Sequence, residues 1–120
     1  MPKVVHFELM ADNPDGILSF YSNVFGWESQ KWEGPADYWL IDTGDGMGIN
    51  GGVGRKHEGM PALINTIDVD SVDDYAAKIE QLGGKISVPK MPIPNVGWLA
   101  YAVDPEGNTF GIMQADSAAA

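Results

Sequence analysis

Residues 3–27 decide the fold, and they read KVVHFELMADNPDGILSFYSNVFGW. Residues 3–10 alternate apolar and polar side chains, which predicts a strand with one buried face. Asp12 or Asn13 can cap a following helix, Pro14 suits its first turn and Gly26 suits its end. Between these positions, apolar residues recur at helical spacing and predict one broad apolar face: Ile17, Phe20, Tyr21, Val24 and Phe25.

Three short strands are predicted after this helix, at 27–32, 38–43 and 48–53. Gly44-Asp45-Gly46 supplies a tight turn between the last two strands. This segment therefore completes a βαβββ unit that spans residues 3–53.

The same pattern returns after a polar linker, residues 54–61. A strand at 63–69 is followed by a helix that opens with the capping box at Ser71 and ends at Gly83-Gly84. Strands at 85–88, 98–103 and 109–113 follow. Gly84 lies 58 residues after Gly26, and a shift of 59 superposes Trp98 on Trp39. We therefore predict one α+β domain of two tandem βαβββ units, 3–53 and 62–114, and a frayed tail at 115–120.

Composition excludes several classes of protein. The chain has 120 residues, 7 basic against 17 acidic, and a formal net charge of −10. So few Lys and Arg residues argue against a nucleic-acid or anionic-membrane partner. The absence of cysteine excludes disulfides and thiolate chemistry. No apolar run reaches the length of a membrane span and no signal peptide is visible, so we expect a cytoplasmic protein.

Two groups of residues resemble a known family. The segments His6-Phe7-Glu8, Phe20-Tyr21 and Val24-Phe25-Gly26-Trp27 resemble the opening of vicinal-oxygen-chelate proteins, the glyoxalase/bleomycin-resistance/dioxygenase superfamily. Residues 96–98 and 104–111, which include Asp104-Pro105-Glu106-Gly107, resemble its closing strand pair.

The resemblance implies the glyoxalase/bleomycin resistance/dihydroxybiphenyl dioxygenase fold. In that fold, tandem units form an incomplete barrel-like curved sheet around a cleft, and many members are homodimers. The family's activities include glyoxalase, extradiol dioxygenase, epimerase and fosfomycin modification, and some members sequester drugs such as bleomycin.

The resemblance also assigns four metal-ligand positions, which fall on His6, Gly52, Ile64 and Gly111. A catalytic metal usually has about three protein ligands, and only the imidazole of His6 qualifies. Glu8 would add a second ligand at most. We therefore expect no metal and no other cofactor, and we read His57 in the linker as a surface residue.

The remaining cleft positions follow from strand alternation. If Val5, Phe7 and Leu9 pack under the helix, then His6, Glu8 and Met10 face the cleft. His6 and Glu8 are the candidate catalytic pair, with His6 as base and Glu8 orienting its other ring nitrogen. The predicted ligand-binding residues form a mixed pocket for a small, partly apolar molecule: Tyr38, Leu40, Asp42, Asn50, Thr66, Asp68, Leu99, Tyr101 and Met113.

Three hypotheses for the function stay open. The first is a metal-independent glyoxalase-like protein that binds a small organic molecule, with or without acid–base chemistry by His6 and Glu8. The second is a sequestration protein without chemistry, which holds an antibiotic or metabolite between two protomers. The third is a divalent-metal lyase or dioxygenase whose missing ligands come from Glu8, Asp68 or a partner chain.

Overall fold

The computed structural model describes residues 1–120, and they divide into two compact units. The first unit is His6–Ile64, and the second is Asn65–Ala120 together with Met1–Val5. The helices and strands are, in chain order, β1 Lys3–Ala11, α1 Pro14–Phe25, β2 Glu28–Lys31, β3 Tyr38–Asp42, β4 Gly51–Arg55, β5 Leu63–Asp68, α2 Val72–Gln81, β6 Lys85–Ile93, β7 Gly97–Val103 and β8 Thr109–Ala115. This order confirms the predicted α+β fold with two βαβββ units. Neither helix has the length and apolar composition that crossing a bilayer requires.

In the first unit the strand order is β2-β3-β4-β1. The β2–β3 and β3–β4 pairs are antiparallel, whereas β1 runs parallel to β4. The helix α1 begins as the sequence predicts, because the Asn13 side chain accepts a hydrogen bond from the Gly16 amide at 3.2 Å. It ends at Gly26, whose φ of 77° is left-handed.

The core of the first unit lies on one face of its strands. Its buried residues are Ala11, Ile41 and Val53, and the side chains packed against them are Phe7, Leu9, Ile17, Leu18 and Trp27. The predicted helix face is broader than the buried one, because Phe20, Val24 and Phe25 are more than half exposed. The prediction that Val5 packs under the helix is wrong, because Val5 is 44% exposed.

The second unit repeats this arrangement with the strand order β5-β8-β7-β6. Strand β5 runs parallel to β8, and the other pairs are antiparallel. Its buried cluster is Val69, Val72, Ala100 and Ile112. The α2 cap is the predicted one, since Ser71 Oγ accepts from the Asp74 amide at 3.1 Å. Leu82, predicted on the buried stripe of this helix, is 72% exposed.

Several boundaries differ from the sequence prediction, and the largest difference is in β6, which runs to Ile93 instead of ending at residue 88. Strand β4 starts at Gly51 instead of residue 48, because Gly44, Gly46 and Gly48 all adopt positive φ and lengthen the turn. The segment predicted as a linker therefore begins with two strand residues. The C-terminal residues do not fray, since Asp116 donates to the Val96 carbonyl at 3.0 Å and the Ala119 carbonyl accepts from Asn95 at 3.0 Å.

Candidate functional site

The first unit has a second strand face, opposite its core. Phe7 and Leu9 pack into the core, so the intervening Glu8 and its neighbours His6 and Met10 point away from it. Gly52 on β4 is opposite both Glu8 on β1 and Leu40 on β3. We call this surface the His6 face and define it by His6, Glu8, Tyr38, Leu40 and Gly52.

Tyr38 crosses a whole strand to reach His6. Strand β4 lies between β3, which carries Tyr38, and β1, which carries His6. The Tyr38 hydroxyl nevertheless lies 2.6 Å from His6 Nε2, within hydrogen-bond distance. The crossing is possible because Gly52 has no side chain, since a Cβ atom there would overlap the Tyr38 hydroxyl oxygen. Trp32 meets the Tyr38 ring edge-on at 6.3 Å between ring centroids.

The His6 imidazole lies in a partly buried position. Burial lowers the pKa of His6 below its ordinary value of 6.5, because a buried ring is poorly solvated when charged. A neutral imidazole next to a phenol can accept a proton at one nitrogen and donate one at the other. The pair is therefore suited to hydrogen bonding and proton transfer near neutral pH.

This burial makes stability depend on pH in a defined direction. The unfolded chain binds a proton at His6 near pH 6.5, whereas the folded chain does so only at lower pH. The contribution of His6 to the free energy of unfolding should therefore be constant above pH 6.5. It should fall as the pH drops below that value. Urea unfolding at pH 7.5 and 5.0 should show a smaller loss in His6→Gln than in the parent protein. His57→Gln is the matched control, and an equal loss in all three proteins would contradict the assignment.

Glu8 is a buried carboxyl on the same face. Its side chain is only 7% exposed, and it lies two residues from His6 along β1. Tyr38 contacts His6 at Nε2, and the orientation of the other ring nitrogen by Glu8 stays a prediction. Both residues thus remain candidates for the chemistry of this face, and Tyr38 joins them.

Of three further predicted ligand-binding residues in the first unit, one lies on the His6 face and two are engaged in the turn after β3. Leu40 is on the His6 face and 43% exposed. Asp42 is exposed and accepts a hydrogen bond from the Gly44 amide at 2.8 Å, so it shapes the turn. Asn50 precedes β4, and its amide oxygen accepts from the Thr43 amide and hydroxyl at 3.0 and 3.1 Å.

The corresponding face of the second unit carries the other predicted residues. Thr66 and Tyr101 are both opposite Gly111, and Leu99 and Asp68 are both opposite Met113. Tyr101, rather than Leu99, is therefore the counterpart of Leu40, which corrects the register of the sequence repeat. The Thr66 hydroxyl is buried without a hydrogen-bond partner, a condition that costs about 1–3 kcal/mol. Asp68 is exposed, whereas Leu99 and Tyr101 are buried.

The four positions that the family assigns to a metal do not form a ligand set here. His6 Nε2 contacts Tyr38, the space at Gly52 is filled by that phenol, and Ile64 is a fully buried aliphatic residue. A Cβ atom at Gly111 would meet the Thr66 hydroxyl oxygen at 2.8 Å. No group of three or more His, Asp or Glu side chains is arranged to hold a metal ion. The residues present therefore do not fit a divalent metal.

One functional contact was missed by sequence reasoning. The sequence predicts that Tyr38 belongs to the ligand-binding residues, but it does not predict the hydrogen bond between Tyr38 and His6. The signal is the glycine at position 52, which the sequence alone indicates as a missing metal ligand or as a close approach of two backbones. A glycine between two strands that carry polar aromatic residues also indicates a side chain crossing above it.

Two βαβββ units, each with its first strand parallel to its last, define an α+β protein of the glyoxalase type. The sequence profile of the Glyoxalase/Bleomycin resistance protein/Dioxygenase superfamily matches residues 3–112. The chain belongs to this superfamily.

Known proteins similar to the chain agree with this assignment. CFP32 of Mycobacterium tuberculosis, a candidate glyoxylase, is 32% identical over 110 residues, which cover 89% of this chain and 42% of CFP32. The structure of hypothetical protein BH1468 from Bacillus halodurans matches with a TM-score of 0.74 at 12% identity, covering 96% of this chain and 95% of that one. The Mn(II)-bound glyoxalase of Novosphingobium aromaticivorans matches with a TM-score of 0.67 at 20% identity, covering 97% and 39%. The chain thus spans less than half the length of CFP32.

Proposed function

We propose that this chain is a metal-independent, glyoxalase-like protein that binds a small, partly apolar organic molecule. The observation that carries the proposal is the His6–Tyr38 hydrogen bond of 2.6 Å above Gly52. It replaces a set of metal ligands with two groups that can bind a ligand oxygen directly. Met10 and Leu40 add apolar surface on the same face, which suits a ligand with an apolar part.

The catalytic version of this proposal assigns acid–base roles. Neutral His6 is the proton acceptor, and the Tyr38 hydroxyl is within reach to hold or pass on that proton. Glu8 is the second candidate for acid–base chemistry, and it lies two residues after His6 on β1. The substrate would be a compound with a carbonyl or hydroxyl oxygen. In the binding-only version, the same groups hold the ligand without reacting.

We also propose that the protein acts in the cytoplasm as a homodimer. CFP32 is more than twice as long as the matched segment, so it has room for a second such segment in one chain. Two copies of this chain would likewise bring two such segments together. Predicted residues of the second unit, notably Thr66 and Tyr101, would then contribute to ligand binding.

The function is tested by separating binding from turnover. Small aromatic and carbonyl compounds are screened by thermal shift, and any compound that stabilises the protein is followed for chemical conversion. In the catalytic version, His6→Ala should reduce turnover at least 100-fold while binding survives. His57→Ala serves as the control. Binding without turnover in the parent protein would favour sequestration, and no stabilising compound would contradict the proposal.

Addition or chelation of a divalent metal should leave the thermal stability of the protein unchanged. We expect the thermal midpoint to shift by less than about 1 °C after chelation with EDTA, or after addition of Zn²⁺, Mn²⁺, Ni²⁺ or Fe²⁺, because His6 is the sole ligand at the family's positions. Elemental analysis of the purified protein checks the result. A near-stoichiometric metal, together with a midpoint that drops on chelation, would favour the metalloenzyme hypothesis.

A further inference from the structure

The His6 face carries no positive charge from Lys or Arg. Of the three such residues in the first unit, Lys31 is opposite Trp39 and so lies on the face of the core residue Ile41. Arg55 follows the same alternation as Val53 on β4, and it too leaves the strand on the core side.

Both of these cations are already paired. Lys31 Nζ lies 3.4 Å from Asp37, and Arg55 Nε lies 3.1 Å from the same carboxylate. The third cation, Lys56, comes after β4 ends. Lys31 and Arg55 are therefore not placed to neutralise a ligand on the His6 face.

The groups that do lie on this face are neutral or acidic. Tyr38 is a phenol, and Glu8 is a buried carboxyl that is never positive. Burial lowers the pKa of His6, which disfavours its positively charged form. Asp42 adds another carboxylate at the end of β3. With a net charge of −10 on the chain, the surrounding field also repels anions.

We propose that the His6 face selects uncharged compounds that carry a carbonyl, amide or hydroxyl oxygen, and that it rejects carboxylates and phosphates. This inference rests on the proposed small-molecule function and specifies the ligand class for that site. A neutral ligand oxygen is recognised by the phenol and the imidazole, which together provide donors and acceptors. An anionic oxygen would be desolvated without a compensating cation.

The test compares benzamide and benzoate, which have nearly the same shape and differ in charge. Each compound is titrated into the protein at low ionic strength, and the dissociation constant is read from the NMR signals of the His6 ring. The chain has only two histidines, so His57→Gln isolates these signals. We expect benzamide to bind at least tenfold more tightly than benzoate, with phenyl phosphate weaker still. Equal or tighter binding of benzoate would overturn the inference, whereas no response to any neutral probe would overturn the proposed function itself.

A lysine introduced on the His6 face tests directly whether charge determines the selection. Leu40 is 43% exposed and opposite Gly52, so Leu40→Lys should fold and place an ammonium group on the His6 face. Leu40→Gln is the uncharged control, because it removes the same apolar side chain from the face without adding a charge. We expect benzoate to bind Leu40→Lys at least fivefold more tightly than Leu40→Gln, with similar benzamide binding in the two variants. If benzoate binds the two variants equally, charge does not determine the selection and the inference is wrong.

Discussion

Replacing Gly52 with alanine should separate the His6 imidazole from the Tyr38 phenol. The new Cβ atom would overlap the Tyr38 hydroxyl oxygen, so the ring has to leave its place above β4. The variant loses the 2.6 Å hydrogen bond and also disturbs the packing of Tyr38 against Trp32. We expect the free energy of unfolding to fall by about 1–3 kcal/mol. Urea unfolding measures this change, and the NMR signals of the His6 ring report loss of the bond.

The adjacent glycine on the same face provides a matched control. A Cβ atom at Gly54 would meet the Met10 sulfur at 3.2 Å and the Tyr38 ring at 3.6 Å. Because a methionine side chain moves easily, Gly54→Ala should change the free energy by less than about 1 kcal/mol. In a Tyr38→Ala background, Gly52→Ala should lose most of its cost. Equal effects of the two glycine variants would contradict the crossing of Tyr38 over Gly52.

Much of the fold could be predicted because its signals are local in sequence. Strand alternation in residues 3–10, the Asn13 cap and the left-handed Gly26 each depend on neighbouring residues only. The spacing of Gly26 and Gly84 then made the repeat visible. The helix and strand order was confirmed in full, and the differences lie at the ends of elements, in the width of the buried helix faces and in the register of the repeat.

The differences arise where distant residues decide the outcome. Residues 115–120 contain no strong signal for structure, yet the Trp98 indole donates to Asp116 at 3.0 Å and helps to fix the chain end. The long turn after β3 is held by hydrogen bonds that Asn50 accepts from Thr43, seven residues earlier. Such contacts depend on which side chains meet after folding, and periodicity does not encode them.

The candidate site was predictable in part for the same reason. Alternation correctly separated the core side chains Phe7 and Leu9 from the opposite face of β1. The contact between Tyr38 and His6 joins residues 32 positions apart and needs a strand order in which β4 lies between them. The sequence contained the permissive glycine but not the order of the strands.

Removing the Ile112 side chain should have the largest effect on stability among the substitutions considered. Ile112 is 2% exposed and belongs to the buried cluster of the second unit, where Val69, Val72 and Ala100 surround it. Ile112→Ala should lower the free energy of unfolding by about 2–5 kcal/mol, because it removes buried methyl groups and leaves a cavity. Urea unfolding with a global probe such as circular dichroism measures the loss. Leu82→Ala removes a side chain that is 72% exposed, and it should cost less than about 1 kcal/mol.

Substitutions that affect stability can be distinguished from substitutions that affect the proposed binding. Gly111 precedes Ile112 on β8 and points to the opposite face, beside Thr66 and Tyr101. Ile112→Ala should therefore weaken the fold while leaving the His6 ring signals of the folded protein unchanged at low denaturant. Tyr38→Phe should do the reverse, changing those signals at a cost of about 1 kcal/mol in stability. If Ile112→Ala altered the His6 signals as strongly as Tyr38→Phe, this result would contradict the expected separation of fold stability from the His6–Tyr38 contact.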